Sequence, residues 1–485
     1  MHGRLLSVIA ALSLFAPFGA ARGQISPAEF SARRDSLAVR IGSGVLVAFG
    51  GRTPVSDFGP FYQLPAFHYL TNFDEPDAAF VMVVKDGHPA STIFVMPIDP
   101  RVAFYYGRRP DSATVTHTLG VAARGFAALG GVVDSLASTG LPFYTLADFA
   151  DADFARQDSL TRGTVFMRAL LARHPGLVVK DAHPMVNDLR AHKSAAEIAL
   201  LKRAAEISSA AHIAVMRAPE PRHEYEIQAV LEGTFTRLGG ERPAYGSIVG
   251  AGRNGTQLHY MLDRGPANPG DIVVIDAATQ YEGYAADITR SIPVSGKYTP
   301  DQRAIYQLVR DAQAAAERNS KPGMLAAAAT DSSVAIRAKG LARLGLIQSV
   351  DATFDPPWKV DCAAQPAQCR QSVLWMIHGI GHGLGLAVHD PAQYYTGERR
   401  FREGDAFTIE PGIYISMDAL AALPDTPKNR AFIAAVRPMV ERYNNTGVRI
   451  EDDYVITPQG LEWMSSAPRE MSEIEAIMAK RPARK

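Results

Sequence analysis

The sequence predicts an α+β protein of two domains, and three observations predict it. Its 485 residues exceed the ~250–300 at which a single core stops growing. Up to about residue 185, short apolar runs alternate with helical stretches, the pattern of an α/β domain. Ser194-Ala195-Ala196-Glu197, a serine followed three residues on by glutamate, then opens a new apolar helix as a capping box.

Taken in order, residues 1–23 read as an export signal. Arg4 gives a positive start, residues 5–18 are almost uninterruptedly apolar around Pro17, and Gly19, Ala20, Ala21 and Gly23 are small enough for cleavage after Ala21 or Gly23. About 14 apolar residues fall short of the ~20 of a spanning helix. The alternatives are an uncleaved anchor or a misplaced start. The expected location is periplasmic or secreted, with no membrane attachment after cleavage.

Residues 27–190 form the first domain. Val45-Leu46-Val47-Ala48, residues 79–84 and residues 92–96 are apolar runs bounded by turn residues and predict strands. Helices are expected over 116–129 and 163–174. Histidines and carboxylates do not cluster here, so the chemistry is expected elsewhere. The boundary falls at 188–193, and residues 194–485 make the second domain. Ile198, Leu200, Leu201, Ala204 and Ile207 give its first helix an apolar face, and further helices are expected over 300–319, 328–344 and 472–478.

Composition narrows the function. Lysine plus arginine (50) equal aspartate plus glutamate (50), and no run of one sign occurs, so nothing favours a nucleic-acid partner. The only cysteines, Cys362 and Cys369, lie in a polar segment without zinc-type spacing; they can close a small disulfide loop in an oxidising compartment.

Four segments of the second domain carry candidate chemistry. Asp276 ends the buried-strand run 271–276, and Asp287 lies beyond a turn at Gln280-Tyr281-Glu282-Gly283. A hairpin there places the two aspartates opposite each other, and two carboxylates that close need a shared proton or a cation. Alone, such a pair is a weak signal, because paired aspartates are often only turn residues. His378-Gly379-Ile380-Gly381-His382-Gly383-Leu384-Gly385, followed by His389, is too glycine-rich for a helix. Read as extended chain, it puts His378 and His382 on one face and glycines on the other, open to close approach by backbone or substrate. Glu410 sits where an apolar run meets Pro411-Gly412, as a surface carboxylate or a ligand. Alternation puts Arg449, Glu451 and Asp453 on one strand face, where Arg449 and Glu451 can form a simple ion pair. Together these segments offer oxygen-rich ligation with one imidazole, which suits hard divalent ions: manganese first, then cobalt, iron or zinc.

In this order the segments resemble the metallopeptidases of the pita-bread fold, which include methionine aminopeptidase, prolidase and aminopeptidase P. The resemblance implies an N-terminal α/β creatinase-like domain followed by a pita-bread domain holding two divalent ions. It assigns Asp276, Asp287, His382, Glu410 and Glu451 as their ligands, with Asp287 and Glu451 bridging. It further implies that His259, His378 and His389 contact substrate or stabilise the transition state, that Glu410 is the general base, and that Tyr414 and Arg449 support the ligands beside the substrate. Residues 67–78 and Arg190-Ala191-His192-Lys193-Ser194 are closest to aminopeptidase P. The implied reaction releases the first residue of Xaa-Pro-Xaa peptides by a metal-bridging hydroxide. The alternatives are an Xaa-Pro dipeptidase and a non-hydrolytic binding homologue. Self-association is expected only by analogy with relatives. Two departures stand out: Ala278 replaces a glycine common in the family, where its methyl group is expected to crowd the turn, and residues 361–370 look like an insertion bordering the cleft.

Overall fold

The computed structural model describes residues 25–54, 59–146, 162–391, 394–395 and 397–483; the expected export signal lies outside them. The apolar runs of the first half build a six-stranded mixed sheet. Gly44–Phe49 lies in its interior, antiparallel to Ala79–Lys85 and parallel to Phe143–Thr145. Alternation along that strand feeds two cores. Leu46 and Ala48 pack with Leu37 and Phe67 on one face, whereas Val45 and Val47 pack with Val133 and Leu170 on the other. Helices cover both faces, which is why the strand is apolar at successive positions rather than at alternate ones.

The helix expected over 116–129 is two helices with a strand between them. Ser112–Leu119 ends at Gly120, whose φ of 65° is a left-handed cap, and Ala122–Gly125 then joins the sheet beside His88–Val95. A second helix starts at Leu129. Pairing with the sheet edge outweighs local helical preference here.

In the second half, the capping box at Ser194 is formed and starts the helix Ala195–Arg217. Ile272–Asp276 is the middle of a three-stranded sheet, flanked by Ile248–Ala251 and Thr289–Pro293. Ala406–Ile409, Asp452–Thr457 and Gly460–Trp463 form another, and Gly412–Ile415 pairs with Thr446–Arg449. Long helices, Pro300–Arg318 and Pro427–Arg442 among them, pack an apolar layer against these strands. Ala278 is unstrained: it is absent from the residues of positive φ, and its methyl group packs in a core with Tyr284 and Ala286.

The halves share that core, which takes in Leu46 and Phe67 from the first and Leu200, Leu384 and Val455 from the second. A buried ion pair, Arg190 to Asp390 at 3.1 Å, ties the junction to the loop after the histidine cluster. Lys193 Nζ donates to the carbonyl of the same Asp390 at 3.0 Å. Cys362 and Cys369 are disulfide-bonded.

Candidate metal centre

The strand Ile272–Asp276 delivers Asp276 at its end, and the tight hairpin that follows turns through Glu282 and Gly283, both at positive φ. The expected register is off by two residues. Asp276 is paired with Thr289 on one side and Ile248 on the other, so Asp287 precedes its strand instead of standing opposite. The two carboxylates still meet, because Tyr245 spans them: its hydroxyl lies 2.6 Å from Asp276 Oδ1 and 2.5 Å from Asp287 Oδ1. A single hydroxyl proton serves only one of them at a time. Burial and the two carboxylates drive that hydroxyl far above its usual pKa, so it stays protonated.

The histidine cluster runs beside Ala406–Ile409. The amide of Thr408 donates to His382 O, and that of Glu410 to Ile380 O. The close approach expected at the glycine face is made by backbone. A Cβ on Gly381 would meet the Thr408 carbonyl at 2.2 Å, and one on Gly383 the Asp390 carbonyl at 2.5 Å.

His382 Nε2 comes within 3.4 Å of Asp287 Oδ2, 3.7 Å of Glu410 Oε1 and 3.9 Å of Glu451 Oε1. Asp287, His382 and Glu451 each offer a ligand atom within 4.8 Å of the others, and all three are buried. The electrostatics fit a cation. Burial alone favours a neutral imidazole, yet Asp287 and Glu410 raise His382 to about 9. Burial, then Asp287 and Glu410, push Glu451 far above the usual carboxylate range. A site that strains this hard to keep positive charge among carboxylates is one a divalent ion would satisfy.

Arg449 pairs with Asp276, at 2.5 Å, and not with its strand neighbour Glu451 as the plain reading allowed. It also donates to Tyr414 Oη at 2.7 Å, and Tyr414 in turn to His378 Nε2 at 2.8 Å. His378 Nδ1 lies 2.7 Å from the Gly379 carbonyl, so both ring nitrogens are engaged. Burial, with Arg449 and Arg337 nearby, lowers His378 to about 3 and keeps it neutral. His389 packs its ring 4.0 Å from that of His382. His259 is exposed, just past the short helix Asn254–Thr256.

Three supporting residues escaped the sequence reading. Besides Tyr245, Thr289 donates to Glu451 Oε2 at 2.7 Å, and Asp453 accepts from the Asp287 amide at 3.1 Å. Asp453 had been placed on the correct face but given no role. Tyr245 carries no signal beyond a polar aromatic just before an apolar strand.

Comparison with known proteins shows the family. Residues 199–458 match the model of metallopeptidase family M24, and residues 30–139 match the aminopeptidase P N-terminal domain. The chain is 34% identical to the Xaa-Pro aminopeptidase of Escherichia coli strain K12, over 94% of this chain and 98% of that protein. Its fold is similar to proline aminopeptidase P II from Yersinia pestis, with a TM-score of 0.76, 32% identity, and 94% and 100% of the two chains covered. A zinc-substituted, product-bound E. coli aminopeptidase P matches with a TM-score of 0.76 at 31% identity, over 95% of this chain and 100% of that one.

Proposed function

Since the chain belongs to metallopeptidase family M24, and within it to the aminopeptidases P, we infer that it removes the N-terminal residue from peptides whose second residue is proline. It is a metallo-aminopeptidase. The observation that carries the reading is the convergence of Asp287, His382 and Glu451, with Asp276 and Glu410 against them.

We propose that these five residues hold two divalent ions, manganese in preference, since four carboxylates and one imidazole form a hard donor set. Ions bound there supply Lewis acidity and a lowered water pKa. The protein supplies the rest. Glu410, buried with Oε1 3.7 Å from His382 Nε2 at the edge of the donor set, is the residue placed to take up a proton and return it. His378 accepts from Tyr414 and holds it in place, and either His378 or His389, whose ring lies 4.0 Å from that of His382, would stabilise the developing oxyanion. Arg449 fixes Asp276 and Tyr414 together. Proline after the scissile bond gives a tertiary amide without an N–H, so recognition has to rest on ring shape.

The apolar run of residues 5–18 and the Cys362–Cys369 bond support export to an oxidising compartment, which detection of the mature protein outside the cytoplasm tests. Self-association through the first domain is part of the proposal, tested by mass in solution.

The deciding experiment strips the protein with a chelator, reloads it with single ions, and compares Ala-Pro-Ala with Ala-Pro. Release of alanine from the tripeptide, restored best by manganese, is expected. Preference for the dipeptide would make it a dipeptidase, and protein that binds no ion and cleaves neither would be a binding homologue.

A further inference from the structure

Among the site histidines only His259 is exposed, on the loop that leaves the strand Ile248–Ala251 and returns at residue 265. Ordering such a loop costs backbone entropy at every residue, and exposed loops are the first parts of a fold to open. A histidine placed there keeps its position only if the loop is held.

A single buried carboxylate holds it. Glu224 is the first residue of the helix Glu224–Arg237 and is 0% exposed. Its Oε1 accepts from the Ala251 amide and from Asn254 Nδ2, both at 2.8 Å. Its Oε2 accepts from the Gly265 amide at 2.6 Å and from Tyr260 Oη at 3.0 Å. The Glu224 amide in turn donates to the Gly265 carbonyl at 3.0 Å. Both ends of the loop and two side chains within it therefore meet on one group. A carboxylate can accept from all of them, whereas an amide side chain offers one oxygen and turns donors toward the rest.

A second hold comes from the metal side. Arg449 Nη2, which pairs with Asp276, also donates to the Leu258 carbonyl at 3.4 Å. Gly447, two residues before it, lies so near the loop that a Cβ would run into the Gly255 carbonyl. His259 thus stands between Leu258, held by Arg449, and Tyr260, held by Glu224. Burial, then Arg449, Arg337 and His259 lower His378, so the exposed ring stands within electrostatic reach of the metal centre's own histidine.

We propose that Glu224 is a positioning residue: it pins the loop of residues 251–265 so that His259 is presented to a peptide at the metal centre. This rests on the Xaa-Pro aminopeptidase reading, in which His259 contacts the substrate. Glu224 touches neither substrate nor metal and acts through His259.

The test is a double-mutant cycle on kcat/KM for Ala-Pro-Ala, using manganese-loaded protein with each variant assayed below its own melting temperature. Glu224→Gln should lower kcat/KM by about tenfold or more, the scale of a misplaced contact group, with metal affinity unchanged in chelator competition. His259→Ala should lose at least as much. In the His259→Ala background, Glu224→Gln should cost less than about twofold further, because the residue it positions is gone. Tyr260→Phe, which removes one donor and no charge, should lose severalfold and show the same non-additivity; it decides the case where Glu224→Gln does not fold. An equal loss from Glu224→Gln with and without His259, an unchanged rate in Glu224→Gln or His259→Ala, or additive losses with Tyr260→Phe would overturn the proposal while the aminopeptidase assignment stands. Wild type that fails to cleave Ala-Pro-Ala overturns the assignment and the proposal with it.

Discussion

Two buried strands make opposite use of burial. Gly44–Phe49 is apolar from end to end and has helices on both faces. Asp452–Thr457, with Arg449 and Glu451 just before it, is buried as far as Ile456 yet crowded with charge. Arg290 and Asp452 pair at 2.6 Å with neither exposed, while Asp453 is driven well above its usual pKa by burial and by Asp287. The first strand is explained by the hydrophobic effect alone. The second is not: an apolar replacement would be cheaper for folding, so the charges are kept for what they hold. The first half builds a scaffold; the second sets strained charge onto it.

The largest expected effect breaks that contrast directly. Glu451→Gln removes a carboxylate from the cluster and should lower kcat/KM by roughly a thousandfold or more. In chelated protein the same change should raise the melting temperature, because it relieves repulsion with Asp287 and Glu410. A fall in the melting temperature of chelated protein would mean that the carboxylate serves the fold. Leu46→Ala in the apolar strand should do the reverse, costing about 2–5 kcal/mol in denaturant titrations while metal affinity stays unchanged.

The sequence revealed these two strands unequally. The apolar runs and the capping box at Ser194 could be read because residue type and spacing carry them, as could the four segments that hold the candidate donors; which five residues ligate came only from the family resemblance. Where two chain segments meet was not legible. Strand pairing placed Thr289, not Asp287, opposite Asp276. A three-dimensional neighbour, not a sequence neighbour, decided that Arg449 binds Asp276. Gly120 broke a helix whose local pattern is continuous, because the sheet edge offered a partner for residues 122–125.

A smaller effect concerns the wall between scaffold and site. His212 is buried on the helix Ala195–Arg217, with Nε2 2.9 Å from the carbonyl of Ala277, the residue after Asp276. Burial, reinforced by Arg290, lowers it to about 4 from 6.5. A base with a depressed folded pKa is neutral in the fold and charges more readily when unfolded. Its stability contribution is therefore complete above pH 6.5 and is lost as pH falls toward 4, by about 3 kcal/mol. Unfolding of chelated protein across that range should show the loss, and His212→Gln should flatten it. An unchanged slope in the variant would assign the acid sensitivity to other groups.

The smallest effect asks whether strained charge needs a neutral partner to stay in place. Tyr245 is the contact that joins Asp276 to Asp287, and its hydroxyl has no other role in the geometry. Tyr245→Phe keeps the ring and its packing but leaves the two carboxylates to repel each other. An ion bound between them would offset most of that repulsion, so the loaded enzyme should keep its fold and lose only about tenfold in kcat/KM. The greater loss should be in metal affinity, measured by competition with a chelator, since the ligands now enter the binding reaction less ordered. If the variant lost kcat with unaltered metal affinity, Tyr245 would be acting on the substrate, and the separation between residues that do the chemistry and residues that hold them would have to be redrawn at this hydroxyl.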